Sequence, residues 1–222
     1  MGDQMATSLT EKLTAELRER ILYGVIAPGT MVVEPRLAEE FKVSKTPVRE
    51  SLRQLTSEGL LQILPKKGYL VRGVTLNDVY ETLDMRMLLE PFTAAGAARH
   101  ATAPFIAALR SQLDEQSRLA AEDPIGSMRC AQQFHRQLAE GGRNSRIAAA
   151  LERCFHDTAR AHYVLPGMQA YMSTSREIQE HEAIVQAIEA GEAKAAQQAM
   201  AEHLKSIRNA MLDQFETDDI WE

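Results

Sequence analysis

At 222 residues the chain is longer than one typical domain, and its 45% hydrophobic content is enough to build a core in each of two domains. No stretch is apolar enough for long enough to cross a membrane, and the N-terminus lacks the charged start, apolar run and cleavage site of a secretory signal, so a cytoplasmic protein is expected. The net charge of −6 is unevenly placed: residues 1–73 hold eleven Lys or Arg against nine Asp or Glu, a net +2, and residues 74–222 hold fourteen against twenty-two, a net −8.

In chain order, Ser8 and Glu11 have capping-box spacing, and Leu9, Leu13, Leu17 and Ile21 line one face of a helix that should end at Gly24. The APG at 27–29 is a turn and TMVVE a short strand; Glu34 and Pro35 then open a second helix with Leu37, Ala38 and Phe41 as its buried side. Next comes the turn FKVSKTP, in which Ser44 is placed to cap a third helix. Pro47 sits in the first turn of that helix, where the N–H it lacks has no intrahelical partner. Val48, Leu52 and Leu55 make its inward stripe, while Lys45, Arg49 and Arg53, each four apart, stack on another face. Gly59 stops the helix, and LLQIL, PKKG and YLVRG read as a hairpin with Lys66 and Lys67 at its tip.

A helix, a turn, a cationic helix and a basic hairpin, in that order, are the layout of a winged helix-turn-helix over residues 8–73. Two arginines on an arbitrary helix would be a solvated face. Here the order of elements, the turn and the basic wing agree, and a polyanion meets this local field rather than the acidic total. The same residues carry a family resemblance: APG, then E-x-x-LAEEF-x-VS-K-TPVRESLRQL-x-x-EGLL, then P-x-x-GYLV resembles the N-terminal domain of GntR-family bacterial transcription regulators over nearly its whole length. The resemblance implies that Arg36, Lys45, Thr46, Arg49 and Gly68 fall where the family contacts operator DNA. Arg53 and Lys67 are added by the faces they occupy, not by the family.

Residues 76–216 read as helix almost throughout, with breaks at Pro104, Pro124, the GGRN at 141–144 and the PG at 166–167. Six helices are predicted, near 76–101, 104–122, 124–140, 144–163, 173–190 and 193–216, forming an antiparallel bundle and a mainly α chain. Leu76, Val79, Leu83, Met87 and Leu88 mark one inward face, and Ile178, Ile184, Val185 and Ile188 another. Cys130 and Cys154 form no close-spaced motif and read as reduced, structural thiols. Of the six histidines, His181 and His203 lie ten residues before and twelve after the turn at Gly191, so an antiparallel hairpin sets them side by side.

This half is similar to the FCD effector-binding domain of the FadR-type branch of the family, on MRMLLEPFTAAGAARH, FHRQLAEGGRNSRI and EHEAIVQAIEAGEAKAAQQAMAEHL. Six helices rather than seven fit the VanR-like subgroup. In many such domains three histidines, placed like His135, His181 and His203, hold a divalent metal with an aspartate one turn before the first; here that position is Ala131. Three neutral imidazoles can still hold zinc or nickel, more weakly, with open positions for water or a ligand carboxylate. The rival is a metal-free pocket whose histidines hydrogen-bond an anion directly. Arg86 matches the family's arginine in the first helix of the domain and is expected to pair with an effector carboxylate, a bridge to Glu90 one turn on being the alternative.

No HExxH, Gly-rich phosphate loop or nucleophile elbow is present, which leaves a zinc-dependent enzyme as a remote reading. The expectation is a homodimeric regulator, by resemblance most often a repressor, that reads a palindromic operator and responds to a small organic or sugar acid. A second domain that serves dimerisation alone is the nearer rival.

Overall fold

The computed structural model describes residues 8–164 and 175–217. The PG break at 166–167 and the predicted helix start at 173 lie outside the described residues. The described residues divide into two compact units, one of residues 8–75 with 159–164, the other of residues 76–158 with 175–217.

In the first unit, helix α1 (Leu9–Leu22) is closed by a reciprocal capping box, Glu11 N donating to Ser8 Oγ at 3.1 Å and Ser8 N to Glu11 Oε2 at 2.7 Å. Leu13, Leu17 and Ile21 are buried as predicted, but Leu9 is 55% exposed, because the core does not reach the first turn. Helices α2 (Glu34–Glu40) and α3 (Lys45–Ser57) follow, and Val48, Leu52 and Leu55 seal α3 against Leu17 and Leu37. Ser44 takes the predicted cap position of α3, yet its hydroxyl makes no capping bond. One of the two backbone N–H groups that such a side chain usually binds would belong to Pro47, which has none.

Strands β1 (Met31–Val32), β2 (Leu61–Leu64) and β3 (Gly68–Val71) form an antiparallel sheet in the order β1-β3-β2, with Leu61 opposite Val71 and Leu64 opposite Gly68. Lys66, in the loop between β2 and β3, has a φ of 64°. Gly68 has a φ of 118°, and a Cβ there would lie 2.7 Å from the Val32 carbonyl oxygen, so only glycine lets the hairpin close on β1.

The second unit holds α4 (Leu76–His100), α5 (Ala103–Leu119), α6 (Pro124–Gly141), most of α7 (Ser145–Val164), α8 (Ser175–Glu189) and α9 (Ala193–Thr217), the six predicted helices to within a few residues. Helix α4 packs on α6, α8 and α9, and α5 on α6 and α8, around Leu109, Phe134, Leu138, Ile184, Ile188, Met200 and Leu204. Gly96 and Gly142 bring α4 and the end of α6 together at backbone distance: a Cβ on Gly96 would lie 2.8 Å from the Gly142 carbonyl oxygen, and one on Gly142 would lie 2.9 Å from Thr93 Cα.

One expectation for α4 fails. Val79 and Leu83 are buried, but Leu88 is 77% exposed. The inward stripe continues through Arg86, Glu90 and Ala94, and Leu88 falls off it, joining Met85 and Phe92 at helical spacing on an exposed apolar strip. Cys130 and Cys154 are free and buried. No helix among the described residues is long and apolar enough to cross a membrane.

Candidate functional site

The first unit presents a cationic face on α3. Lys45, Thr46, Arg49 and Arg53 are all exposed, on a face beside the buried stripe of Val48, Leu52 and Leu55, and Lys66 and Lys67 are exposed at the hairpin tip. Arg36 is exposed on α2 but lines a different groove, with Arg20, Glu40 and Val25 to Ala27. Gly68 has the backbone reason given above for being glycine. Arg49 is already engaged: its Nε lies 2.9 and 3.1 Å from the two carboxylate oxygens of Glu34, and its Nη2 donates to Oε2 at 2.8 Å. Tyr69 of β3 approaches the same carboxylate at 3.5 Å. The Arg49 hydrogen bonds, ahead of burial, which works the other way, hold the Glu34 carboxyl below its usual range.

In the second unit α6, α8 and α9 bring His135, His181 and His203 together, all buried. His203 Nε2 lies 3.3 Å from His135 Nε2 and 3.3 Å from His181 Nε2. Each opposite nitrogen is held by an oxygen: His135 Nδ1 by Glu90 Oε2 at 2.5 Å, His181 Nδ1 by Gln116 Oε1 at 2.8 Å, and His203 Nδ1 by Glu180 Oε2 at 2.9 Å. Gln116 is oriented in turn by its amide, which donates to Glu177 at 3.3 Å. Oxygen acceptors on all three Nδ1 atoms fix the Nδ1–H tautomer, and three Nε2 lone pairs then face one another.

Burial, the dominant effect, pushes the His135 pKa down to about 4, against the opposing pull of Glu90. It also pushes His181 well below the usual imidazole value. Burial alone would raise Glu90, but the charge of Arg86, then that of His135, prevails and holds it at about 2. Facing lone pairs on neutral rings repel, and a cation at their common point removes the repulsion. With metal–nitrogen bonds of about 2.0–2.1 Å, a tetrahedral site sets its nitrogens about 3.3–3.4 Å apart. Two of the spacings here match it, so the residues present fit a zinc-like ion.

Ala131, 1% exposed and one turn before His135, contributes no ligand. Arg86 is buried and forms an ion pair with Glu90, the alternative pairing foreseen for it, and its guanidinium lies 5.5 Å from the Phe155 ring centre. Sequence reasoning did not assign Glu90, Gln116 or Glu180 to the site. Glu180 and Glu90 carried weak signals, one as the neighbour of His181 and the other one turn from Arg86; Gln116 carried none. His100 is exposed, and the buried His156 bonds Glu152 at 2.9 Å, apart from the triad.

A model of the FCD domain matches residues 81–206, and a model of bacterial regulatory proteins of the gntR family matches residues 9–71. The gluconate operon transcriptional repressor of Bacillus licheniformis is 41% identical over 81 residues, 36% of this chain and 33% of the relative. An HTH-type transcriptional regulator in an unstable DNA locus of Streptomyces ambofaciens is 30% identical over 196 residues, 86% of this chain and 80% of that one. LutR of Bacillus subtilis, another HTH-type transcriptional regulator, is 27% identical over 212 residues, covering 87% and 96%. Among the first curated relatives the matched stretch spans between 33% and 62% of their length.

Of solved structures, Escherichia coli McbR/YncC superposes with a TM-score of 0.81 at 21% identity, covering 95% of this chain and 100% of that one. A GntR regulator from Rhodococcus sp. RHA1 gives 0.72 at 25%, covering 91% and 97%. The winged helix-turn-helix, the helical second half and these matches agree: the chain belongs to the GntR family of bacterial regulatory proteins, with an FCD domain as its second half.

Proposed function

We propose that the protein is a homodimeric, ligand-responsive repressor whose residues 8–73 bind a palindromic operator and whose residues 76–216 bind a small carboxylate-bearing effector and dimerise, in the cytoplasm. DNA contact is assigned to Arg36, Lys45, Thr46, Arg49, Arg53, Lys67 and Gly68. Two gluconate operon repressors among the relatives support the repressor reading. The exposed Met85, Leu88 and Phe92 support an isologous interface between two copies.

The observation that carries the effector reading is the convergence of the three Nε2 atoms, each with its Nδ1 pinned from behind. His135, His181 and His203 would hold a zinc or nickel ion, and that ion would supply a positive centre for an effector carboxylate. Alanine at 131 leaves the fourth position to the ligand. Arg86 is taken by Glu90, so an effector carboxylate reaches it only by displacing Glu90; its part in this reading is to keep Glu90 ionised behind His135. A domain that served dimerisation alone would have no use for three buried imidazoles with shared lone-pair direction.

Calorimetric titration with zinc at neutral pH tests this. The wild type should bind one ion per chain and His181→Ala none, since two imidazoles hold such an ion poorly. Absence of stoichiometric binding to the wild type would remove the metal, leaving a pocket of hydrogen-bonding histidines.

A further inference from the structure

The carboxylate of Glu34 grips Arg49 along one edge only. Nε and Nη2 are bonded to it, while Nη1 and the outer hydrogen of Nη2 point away. The Arg49 side chain is 51% exposed and that of Glu34 only 19%, so the fork stands at the surface with the acid behind it. Glu34 is itself held: it opens α2, Tyr69 of β3 reaches it at 3.5 Å, and it stays ionised beside Arg49 and Arg53. An exposed pair of this kind adds little to stability, so holding the domain together does not account for it.

We infer that Glu34 is a positioning residue that makes Arg49 a reader of base edges rather than a clamp on phosphate. The inference rests on the proposed DNA-binding face. The Nε–Nη2 edge is occupied by Glu34, so a phosphate has only the Nη1–Nη2 end to take, and there the Glu34 carboxylate cancels the charge of the guanidinium and repels the backbone. The free end, Nη1 with Nη2, has the spacing that guanine O6 and N7 accept in the major groove. On DNA of arbitrary sequence Arg49 therefore neutralises no phosphate, and it contributes only where a guanine is correctly placed.

Counterion release makes this measurable without knowing the operator. Binding of the full-length protein to a random-sequence duplex is followed by fluorescence anisotropy between 50 and 200 mM KCl, at roughly 0.9 of logarithmic slope per neutralised phosphate. Arg49→Ala should leave the wild-type slope unchanged. Glu34→Gln should steepen it by about one contact, and adding Arg49→Ala to Glu34→Gln should return it to the wild-type value. Should Glu34→Gln lose helix content, Glu34→Ala carries the same test, since it removes both the charge and the two-point grip.

An unchanged slope in the released variants overturns the inference. So does a steepening that survives removal of Arg49, which would be a general charge effect. If the wild type binds no duplex at 50 mM KCl, the DNA-binding face itself is wrong and the inference falls with it.

Discussion

Glu90 Oε2 accepts a hydrogen bond from the Nδ1–H of His135 at 2.5 Å, and so decides which nitrogen of that ring faces the other two histidines. The carboxylate is 1% exposed, and it also holds Arg86 one turn away, so one buried acid sets both a tautomer and an arginine. Groups in this position behind a metal-binding imidazole fix the orientation of the ring and raise its basicity.

Replacing Glu90 by Gln is therefore expected to weaken zinc binding by about 10–100-fold while every imidazole remains in place. Calorimetry on the two proteins gives the comparison. Equal affinities would show that the Glu90 contact is packing alone.

Ala131→Asp adds a carboxylate on the face of α6 that carries His135, four residues away. It should tighten zinc or nickel binding and, by filling the position left to an effector carboxylate, weaken the response to effector. Competitive titration against a chromophoric chelator resolves the first effect, and a variant that bound no tighter than wild type would place residue 131 outside the coordination sphere.

At the DNA face, Arg49→Ala should cost about 1–3 kcal/mol on an operator duplex obtained by selection from random sequence, with the fold intact. Lys67→Ala, at the hairpin tip, should weaken binding evenly across sequences. Anisotropy on operator and scrambled duplexes separates the two patterns; an even loss on both duplexes for Arg49→Ala would reassign it as a phosphate contact.

Assembly is tested at Leu88, 77% exposed in a single chain. Light scattering should give twice 24.7 kDa for the wild type without DNA and close to 24.7 kDa for Leu88→Glu. A wild-type monomer at micromolar concentration would count decisively against the dimer.

Acid should act on the metal-free protein in a defined window. His135 has its pKa lowered from 6.5 to about 4 in the folded state, so between those values the unfolded chain binds the extra proton and stability falls as pH falls. Glu90, lowered from 4.5 to about 2, contributes stability that is complete above 4.5 and lost as pH falls through 2. Melting temperature in chelator should therefore drop from about pH 6.5 downward. In His135→Gln the fall between 6.5 and 4.5 should be shallower; an identical profile would mean the imidazole is not buried as found.

The elements were legible wherever local chemistry is one-sided. Ser8 with Glu11, the breaks at Pro104 and Pro124, and the stripe of Val48, Leu52 and Leu55 each have a single sensible reading, and the structure follows them. Leu88 misled because adjacent apolar residues on a helix face directions about 100° apart, and only burial shows which belongs inside. Ser44 takes the cap position read for it, but its hydroxyl makes no capping bond, since one of the two donors such a cap uses is missing at Pro47. The meeting of His181 and His203 could be counted from the turn at Gly191, but His135 came from resemblance alone. Gln116 lies 65 residues from His181, and no pattern in a single sequence connects residues across such a gap.

The contact of Gly142 with Thr93 and Gly96 leaves no side chain between α4 and the end of α6 to act as a cushion. Packed side chains absorb small displacements by changing rotamer; two backbones in contact have no such slack. In the proposed reading, a ligand that pulled His135 by a fraction of an ångström would move α6 as a rod, and the rod would bear directly on α4. The strip of Met85, Leu88 and Phe92, on the face of α4 turned away from Arg86 and Glu90, would then be carried along with the helix, and the two glycines would be its bearing.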